Sequence, residues 1–213
     1  MGGVTDTRQR LLDATAEVLR TEGIAGLSAR TVAARAEVNQ ALVFYHFGTV
    51  PELIQAATRA AVDESVGFYR DQFARIGSLT ELLEVGRELH DRERETGNIK
   101  VMAQLLAGAQ QDLLLAEAAR YAMARWSEQL EAVVRRLLAG SPLAEVVDAA
   151  GLAQMISAVF IGLDLYDGVD PVGSRAALDA VERLVVLVEV VDDLGPVATR
   201  ALRSRLRKAS AAR

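Results

Sequence analysis

The stretch from Ser28 to Phe47 limits the possible folds more than any other part of this sequence. The Ser28 hydroxyl can accept a hydrogen bond from an amide in the first turn of a short helix. Residues 37–39 interrupt that helix, and Asn39 can cap a second one that begins at Gln40 and runs to the end of the stretch. Two short helices on a tight turn make a helix-turn-helix.

The apolar residues of this stretch recur at helical spacing and predict one buried side, which consists of Val32, Ala33, Ala36, Val38, Val43 and Phe47. The other side carries side chains that a DNA groove can accept, because Gln pairs bidentately with adenine and Arg with guanine. We predict that Gln40 reads a base edge and that Ser28 and Tyr45 contact the backbone. The alternative is a plain helical hairpin in an all-α core. The full set of predicted DNA-binding residues is Ser28, Arg30, Asn39, Gln40, Ala41, Leu42, Phe44, Tyr45, His46 and Thr49.

The order of residue types also resembles the DNA-binding segment of the TetR family of bacterial transcriptional regulators. The resemblance covers TRQRLLDATAEVLRTEGIAGLS from Thr7, the turn ARAEVN and the segment QALVFYHFGTVPEL, and it fades beyond Leu53. It implies an all-α fold with an N-terminal three-helix helix-turn-helix DNA-binding domain at 1–49. A larger helical ligand-binding and dimerisation domain is then expected at 50–213.

The chain departs from the usual pattern of this family at three positions. Glu37 stands where the turn commonly holds glycine, Phe44 stands where the aromatic residue is usually tyrosine, and Val50 stands where a lysine commonly precedes the next helix. The last two departures remove a hydroxyl donor and a cation that would contact phosphates. Arg8 and Arg10, near the start of the first predicted helix, are candidates for phosphate contacts or ordinary solvated side chains.

The composition excludes several kinds of chemistry. Cysteine is absent from the 213 residues, so disulfides, thiolate metal sites and cysteine nucleophiles are excluded. His46 and His90 are the only histidines, and neither lies in a metal-binding motif. The sequence has no Gly-rich phosphate loop or nucleophile elbow. We therefore predict no catalytic residue, no metal, no cofactor and no enzymatic activity.

Charge is distributed unevenly along the chain, whose formal net charge is −5. Residues 1–50 hold equal numbers of arginines and acids, so the predicted DNA-binding segment is neutral. The segment after Pro196 has no acid and six basic residues, which are Arg200, Arg203, Arg205, Arg207, Lys208 and Arg213. It is expected to form a terminal helix that is solvated or, alternatively, touches DNA.

Two apolar segments near the C-terminal end are expected to pair as an antiparallel helical hairpin around the turn signal DGVDPVG. Their apolar residues step by three and four, so the β-branched run 184–191 is predicted as helix and not strand. We expect these seams to form a homodimer interface, since two heads need a two-fold partner to read two half-sites. An intrachain core is the alternative. The predicted dimerisation residues are Leu152, Ile156, Val159, Leu163, Val181, Leu184 and Val188.

The middle of the chain supplies an apolar and aromatic group that can line a ligand cavity, as the resemblance implies. The group comprises Phe68, Tyr69, Phe73, Met102, Leu105, Leu106, Tyr121, Met123 and Trp126. We expect a repressor that a small apolar or amphipathic effector releases from a palindromic operator in double-stranded DNA. The alternatives are control by a partner protein and an all-α carrier or enzyme without DNA binding. Effector identity, operator sequence and the choice between repression and activation do not follow from the sequence.

No membrane association is expected. The N-terminus lacks the apolar core of a signal peptide, and the uncharged apolar run 149–163 is shorter than the roughly 20 residues that span a bilayer. The sequence therefore predicts a cytoplasmic protein.

Overall fold

The computed structural model describes residues 2–139, 141–192 and 194–210, and within them it contains ten α-helices and no strand. The helices are α1 (Gly2–Thr21), α2 (Ala29–Arg35), α3 (Ala41–Phe47), α4 (Val50–Arg75), α5 (Leu79–Glu95), α6 (Asn98–Gly108), α7 (Leu113–Leu138), α8 (Ala149–Asp167), α9 (Pro171–Asp192) and α10 (Pro196–Ser210). Short 3₁₀ helices lie at Ile24–Gly26 and Pro142–Glu145. The all-α fold with an N-terminal helix-turn-helix is confirmed.

The chain forms two compact units, and the first comprises Met1–Phe68 and Asp91–Arg125. Within it, α1, α2, α3 and the start of α4 enclose one core around the fully buried Leu11, Val32, Val43 and Leu53. A second core gathers residues of α6 and α7 around the fully buried Leu105. The assignment of DNA binding to residues 1–49 stays a prediction.

The second unit comprises Tyr69–His90 and Trp126–Arg213. Its core joins Tyr69, Phe73 and Ile76 with side chains of α5, α7 and α8, including Val133 and Ala153. The hairpin of α8 and α9 is present, and α10 packs against the 3₁₀ helix Pro142–Glu145.

Helix boundaries follow local sequence signals closely. Residues Val50–Arg75 form one helix, as predicted, and the β-branched run 184–191 is helical within α9. The first helix begins at Gly2, four residues before the capping residue Asp6 that the sequence suggested. Asp170 ends the turn before α9, where its carboxylate accepts from the Gly173 amide at 2.9 Å.

Among the described residues, α8 is the one helix long and apolar enough to cross a membrane, judged by length and composition. It has 19 residues and a mean hydropathy of 1.5, and 11% of it is buried inside the chain. The expectation from the uncharged run 149–163 omitted the last turn, which continues through Asp164 to Asp167. Most of the apolar surface of α8 is therefore not covered by the described part of the chain.

Candidate nucleic-acid interface

The first helix of the helix-turn-helix is fixed by a side-chain cap and a buried apolar side. Ser28 has extended backbone, and its Oγ accepts a hydrogen bond from the Thr31 amide at 3.0 Å. Ala29, Val32 and Ala33 of α2 are buried, as the spacing predicted for the last two. The predicted cap is therefore confirmed. The Ser28 hydroxyl also lies 2.7 Å from Thr31 Oγ1, so both hydroxyls stand at the helix start where a phosphate could approach.

The turn between α2 and α3 is held by a residue of α1. Glu37 adopts a left-handed conformation with φ of 53°, which explains why glycine would be favoured there. Arg10 Nη2 donates to the Ala36 carbonyl oxygen at 2.5 Å and to the Glu37 carbonyl oxygen at 3.4 Å. Free solvation, one of the two roles that the sequence left open for Arg10, is therefore wrong, because its guanidinium braces the turn.

The second helix presents its polar and aromatic side chains outward. The predicted cap at Asn39 is displaced by one residue, because α3 begins at Ala41 and its N-cap is Gln40, which makes no side-chain cap bond. Asn39 lies just before the N-cap, and its Oδ1 accepts from the Ala41 amide at 2.8 Å. Val43 and Phe47 are buried in the head core. Tyr45 is 76% exposed and Phe44 is 49% exposed. The exposed side chains of α3 are therefore available for contacts with DNA without any change in the buried core of the head.

The remaining predicted contact residues fall into two groups by exposure. Arg30, Gln40, Ala41 and Thr49 are exposed, whereas Leu42 and His46 are half-buried. Leu42 packs against the head core, so part of its side chain supports α3. This split does not follow from helical spacing, because it depends on how the rest of the head packs around α3.

Thr49 begins α4 with a reciprocal cap. Its Oγ1 donates to Glu52 Oε2 at 2.8 Å and accepts from the Glu52 amide at 3.3 Å. Gly48 before it has a φ of 77°, a conformation that favours glycine. The reciprocal bonds therefore occupy the Thr49 hydroxyl and the Glu52 amide, and Pro51 between them has no amide hydrogen to donate.

Most arginines of the head are engaged within the head. Arg8 lies over the Phe47 ring with its guanidinium carbon 5.1 Å from the ring centroid. Arg35 donates to Glu17 at 2.5 Å and to Glu22 at 2.9 Å. Arg30 is exposed on α2. The head thus offers few cations to phosphates, in agreement with its neutral net charge.

A side chain of α6 completes the connection between α1 and α2. Gln104 Oε1 accepts a hydrogen bond from the Ile24 amide at 2.8 Å. Gly23 precedes it with a φ of 74°, and a Cβ at this glycine would lie 2.5 Å from Gln104 Oε1. The hydrogen bond and the close approach together fix the distance between α6 and residues 23–24. Sequence reasoning missed Gln104 because no local pattern marks it.

The predicted ligand residues lie in both units. Leu105 is fully buried in the first unit, where Phe68 is exposed and Arg92 lies over its ring at 3.7 Å. Met102, Leu106, Tyr121 and Met123 are half-buried in the same unit. In the second unit the rings of Tyr69 and Phe73 lie 6.1 and 6.3 Å from that of Trp126. The aromatic cluster of Tyr69, Phe73 and Trp126 is thus brought together, whereas Phe68 is not part of it.

Tyr121 takes part in a polar cluster on the first unit. Its hydroxyl donates to Asp63 Oδ2 at 2.7 Å, and Arg125 Nε donates to Asp63 Oδ1 at 2.9 Å. The hydrogen bond from Tyr121, followed by that from Arg125, lowers the pKa of Asp63 below its usual range. The same bond raises the pKa of Tyr121. The cluster ties α4 to α7.

The predicted dimerisation residues also divide by exposure. Leu152, Ile156, Leu163, Val181 and Val188 are half-buried within the chain, and Ile156 packs against the core of the second unit. Val159 and Leu184 are exposed. Further apolar side chains outside the predicted seams are exposed on the same two helices, among them Met155, Leu187 and Val190. The predicted dimerisation residues therefore lie on both the half-buried and the exposed sides of α8 and α9.

Known proteins resemble part of the sequence of this chain, and others resemble its fold. The model of the bacterial regulatory proteins of the tetR family matches residues 11–57. No curated protein matches the chain in sequence. In structure the chain is similar to a protein from Rhodococcus sp. assigned to the TetR family, with a TM-score of 0.70, 22% identity, and coverage of 89% of this chain and 100% of that one.

A second similar structure is the multidrug binding protein EbrR complexed with proflavin. The TM-score is 0.58 and the identity is 27%, over 84% of this chain and 99% of that one. The EbrR complex with imidazole gives 0.57 and 29%, over 84% and 94% of the two chains. The family model thus matches the N-terminal part of the chain, and the fold of the chain is similar to that of a protein assigned to the TetR family.

Proposed function

We propose that this protein is a repressor that reads a palindromic operator as a cytoplasmic homodimer and releases it when a small apolar or amphipathic molecule binds. Residues 1–49 supply DNA binding, and residues 50–213 supply ligand binding and dimerisation. The observation that carries the proposal is the outer surface of α3. Gln40, Phe44 and Tyr45 are exposed there, while a buried core and the Arg10 brace fix the helix that presents them.

DNA recognition divides between base and backbone contacts. Gln40 lies at the N-terminal end of α3, the part of a recognition helix that reaches base edges. The hydroxyl of Ser28 and the phenol of Tyr45 are donors for phosphates. Arg30, Asn39, Ala41, Leu42, Phe44, His46 and Thr49 complete the proposed contact surface.

Selection of duplexes from a random pool tests this division and supplies the operator for every later measurement. Gln40→Ala should cost about 1 to 3 kcal/mol on the selected duplex and little on unrelated DNA, because it removes a base contact. Tyr45→Phe is the matched control, since loss of a phosphate contact weakens both duplexes alike. Equal losses on both duplexes for Gln40→Ala would refute base reading. A chain that enriches no duplex would instead favour the carrier or enzyme alternative.

The dimer is proposed from the exposed apolar surface of α8 and α9. Soluble monomers rarely expose contiguous apolar patches of this kind, and a second copy would cover the patch through a two-fold interface. Its exposed members are Val159, Leu184, Met155 and Leu187. The other proposed interface residues are half-buried within the chain and would border the patch, namely Leu152, Ile156, Leu163, Val181 and Val188. This also accounts for the apolar composition of α8 without a membrane.

Effector binding is proposed from the aromatic cluster of Tyr69, Phe73 and Trp126, with Phe68, Met102, Leu105, Leu106, Tyr121 and Met123 as further candidates. The similarity to EbrR, whose solved complexes contain proflavin and imidazole, supports a ligand with a flat ring. Coupling between effector and operator is typically about 1 to 3 kcal/mol, or roughly 5- to 150-fold in DNA affinity.

Proflavin is the first probe. Trp126 is the one tryptophan of the chain, so its fluorescence reports binding directly. We expect proflavin to raise the thermal stability of the free protein. It should also weaken operator binding by the wild type more than by the Trp126→Leu protein, a difference that separates coupling from intercalation of the dye into the duplex. Trp126→Leu should remove the response while the free protein still binds operator, and Tyr166→Leu serves as the control on an exposed ring outside the candidate residues. If neither proflavin nor a panel of flat amphipathic compounds changes stability or operator affinity, a partner protein becomes the better candidate for control.

A further inference from the structure

We propose that α3 reads the methyl groups of thymine, so that the operator carries A·T pairs where α3 enters the major groove. The proposal rests on the proposed function and deepens it, because it takes α3 as the helix that contacts bases. Phe44 determines this specificity, with Ala41 beside it. Three features of α3 support this assignment: its exposed side is apolar and aromatic, the helix carries no arginine, lysine or acid, and Gln40 lies one turn before Phe44.

The exposed side of α3 consists of apolar and aromatic side chains. Ala41, Phe44 and Tyr45 are spaced by three and four residues, so they lie on one side of the helix. All three are exposed, and 49% of Phe44 is accessible. Val43 and Phe47, on the other side, are buried in the head core. This core fixes the rotation of α3 about its axis, so the side that faces a duplex is the one that carries Phe44.

The side chain of Phe44 has neither a hydrogen-bond donor nor an acceptor, so it matches an apolar group on the DNA. The apolar group that the major groove offers is the C5 methyl of thymine, whereas the other bases present donors and acceptors there. Covering the methyl with an aromatic ring removes apolar surface of both partners from water, which is favourable. Ala41, the first residue of α3, ends in a methyl group and suits the same contact.

Guanine and cytosine need side chains that α3 does not provide. Guanine is read most often by arginine or lysine and cytosine by aspartate or glutamate, and α3 contains none of these residues. His46 is half-buried, and its ring lies edge-on to that of Tyr45 with centroids 5.0 Å apart. Arg30 is exposed on α2, the helix that in this motif crosses the phosphate backbone and does not enter the groove. The residues of α3 therefore favour A·T pairs over G·C pairs.

Gln40 and Phe44 are placed to read neighbouring base pairs. The backbone of Gln40 is helical, with a φ of −54° and a ψ of −33°, and its side chain can pair bidentately with adenine. Four residues of helix rise about 6 Å, which is close to two base-pair steps of about 3.4 Å. Each half-site should thus place a thymine within about two base pairs of the adenine that Gln40 reads.

The test replaces single thymines of the selected operator by deoxyuridine, which keeps the hydrogen-bonding groups of the base and removes its C5 methyl. Wild-type protein should bind about fourfold more weakly for each sensitive thymine, and about 16-fold more weakly when both half-sites are substituted. The sensitive thymine should lie within about two base pairs of the position at which Gln40→Ala relaxes specificity. In an operator with a C·G pair at that place, 5-methylcytosine should recover about fourfold, because it returns a methyl group to the groove.

Phe44→Ala assigns the contact to its residue, and alanine keeps α3 intact because it is the best helix former. This variant should bind the thymine and deoxyuridine operators equally at the position that Phe44 covers. Tyr45→Phe is the matched control on the same side of α3. It should weaken binding to both duplexes and keep the fourfold difference between them, because it removes a backbone contact.

Two results would overturn the proposal. One is a wild-type protein that binds every deoxyuridine duplex as tightly as the operator, a measurement that requires no change in the protein. The other is a Phe44→Ala protein that keeps the difference at every sensitive thymine. Both results leave operator recognition intact, whereas a wild-type protein that enriches no duplex from the random pool refutes the proposed function itself.

Discussion

The helix-turn-helix head and the hairpin of α8 and α9 treat their apolar side chains in opposite ways. In the head, Leu11, Val32 and Val43 are fully buried within one chain. In the hairpin, Leu184 and Leu187 are each 61% exposed although helical spacing would allow them to be covered. Similar apolar periodicity therefore gives a closed core in one region and an open surface in the other.

The difference follows from the number of neighbours that each region has. Four helices enclose the head core, so each apolar side meets another one. The hairpin presents one side to the second unit, as Ile156 does, and leaves the other open. Burial contributes roughly 25 cal/mol per Å² of apolar area, so an open surface of this type gains stability when a second copy covers it. Stability of the head should therefore not depend on protein concentration, whereas that of the hairpin should.

A charge in the open surface should have the largest effect. Leu184→Glu should prevent association and reduce operator affinity by about 10² to 10⁴, because each half-site is then bound separately. Sedimentation measures the oligomeric state and titration with the operator measures affinity. Arg183→Glu, next to it on α9, is the control for added negative charge. A Leu184→Glu protein that remains a dimer of unchanged stability would show that this surface faces solvent or a different partner.

Truncation of a leucine in the two regions should sharpen the comparison. Leu53→Ala, at a fully buried position of the head core, should cost about 2 to 5 kcal/mol at every protein concentration. Leu187→Ala should cost less, and its effect should shrink as the dimer is diluted. Urea unfolding over a hundredfold range of concentration measures both. A concentration-dependent cost for Leu53→Ala would mean that the head also depends on association.

The brace of the turn should contribute a smaller amount. Arg10→Met leaves the Ala36 carbonyl without its donor and should reduce stability by about 1 to 2 kcal/mol. Glu37→Gly relieves the left-handed backbone and should restore about 1 kcal/mol of this loss together with operator affinity. Arg8→Met is the control, because it removes a cation over Phe47 and leaves the turn alone. Failure of Glu37→Gly to compensate would show that Arg10 acts elsewhere.

The cluster at Asp63 should give the smallest effect. Its pKa is lowered in the folded state, so its contribution is present above the ordinary value near 3.9 and is lost as the pH falls through the folded pKa. Because Asp63 is half exposed, we expect less than about 1 kcal/mol. Unfolding of Asp63→Asn and the wild type at pH 7 and in acid measures it. The difference in stability between Asp63→Asn and the wild type should disappear in acid, where Asp63 is protonated in both the folded and unfolded states. Asp71→Asn is the control for removal of an exposed carboxylate from the same helix.

Local signals predicted much of the head. Ser28 caps α2, and Asn39 bonds the first amide of α3, because each bond reaches only two or three residues along the chain. The burial of Val43 and Phe47 follows from spacing alone. Bonds between distant segments were not predictable: Arg10 reaches the turn across 26 residues, and nothing around either end marks the pair.

In the rest of the chain, the sequence predicted where the helices lie better than it predicted which of their sides are buried. The heptad seams of α8 and α9 identified an apolar hairpin, but Ile156 packs inward while the adjacent Met155 is exposed. Phe68 was grouped with the other aromatics, yet it is exposed beneath Arg92. A helix that is apolar on more than one side has no preferred covered side until its neighbours are known. Tertiary packing therefore decides which residues line a cavity, an interface or a core.

The bond between Gln104 and Ile24 has a consequence for the order of events during synthesis. The acceptor of the Ile24 amide lies 80 residues later in the chain. At roughly 5 to 20 residues per second, the ribosome adds this residue about 4 to 16 seconds after Ile24. During that interval the nascent helix-turn-helix can already form its own core, while the connection behind it keeps an amide exposed to water. A newly made chain thus gains the fixed connection between its first two helices only after translation has passed α6.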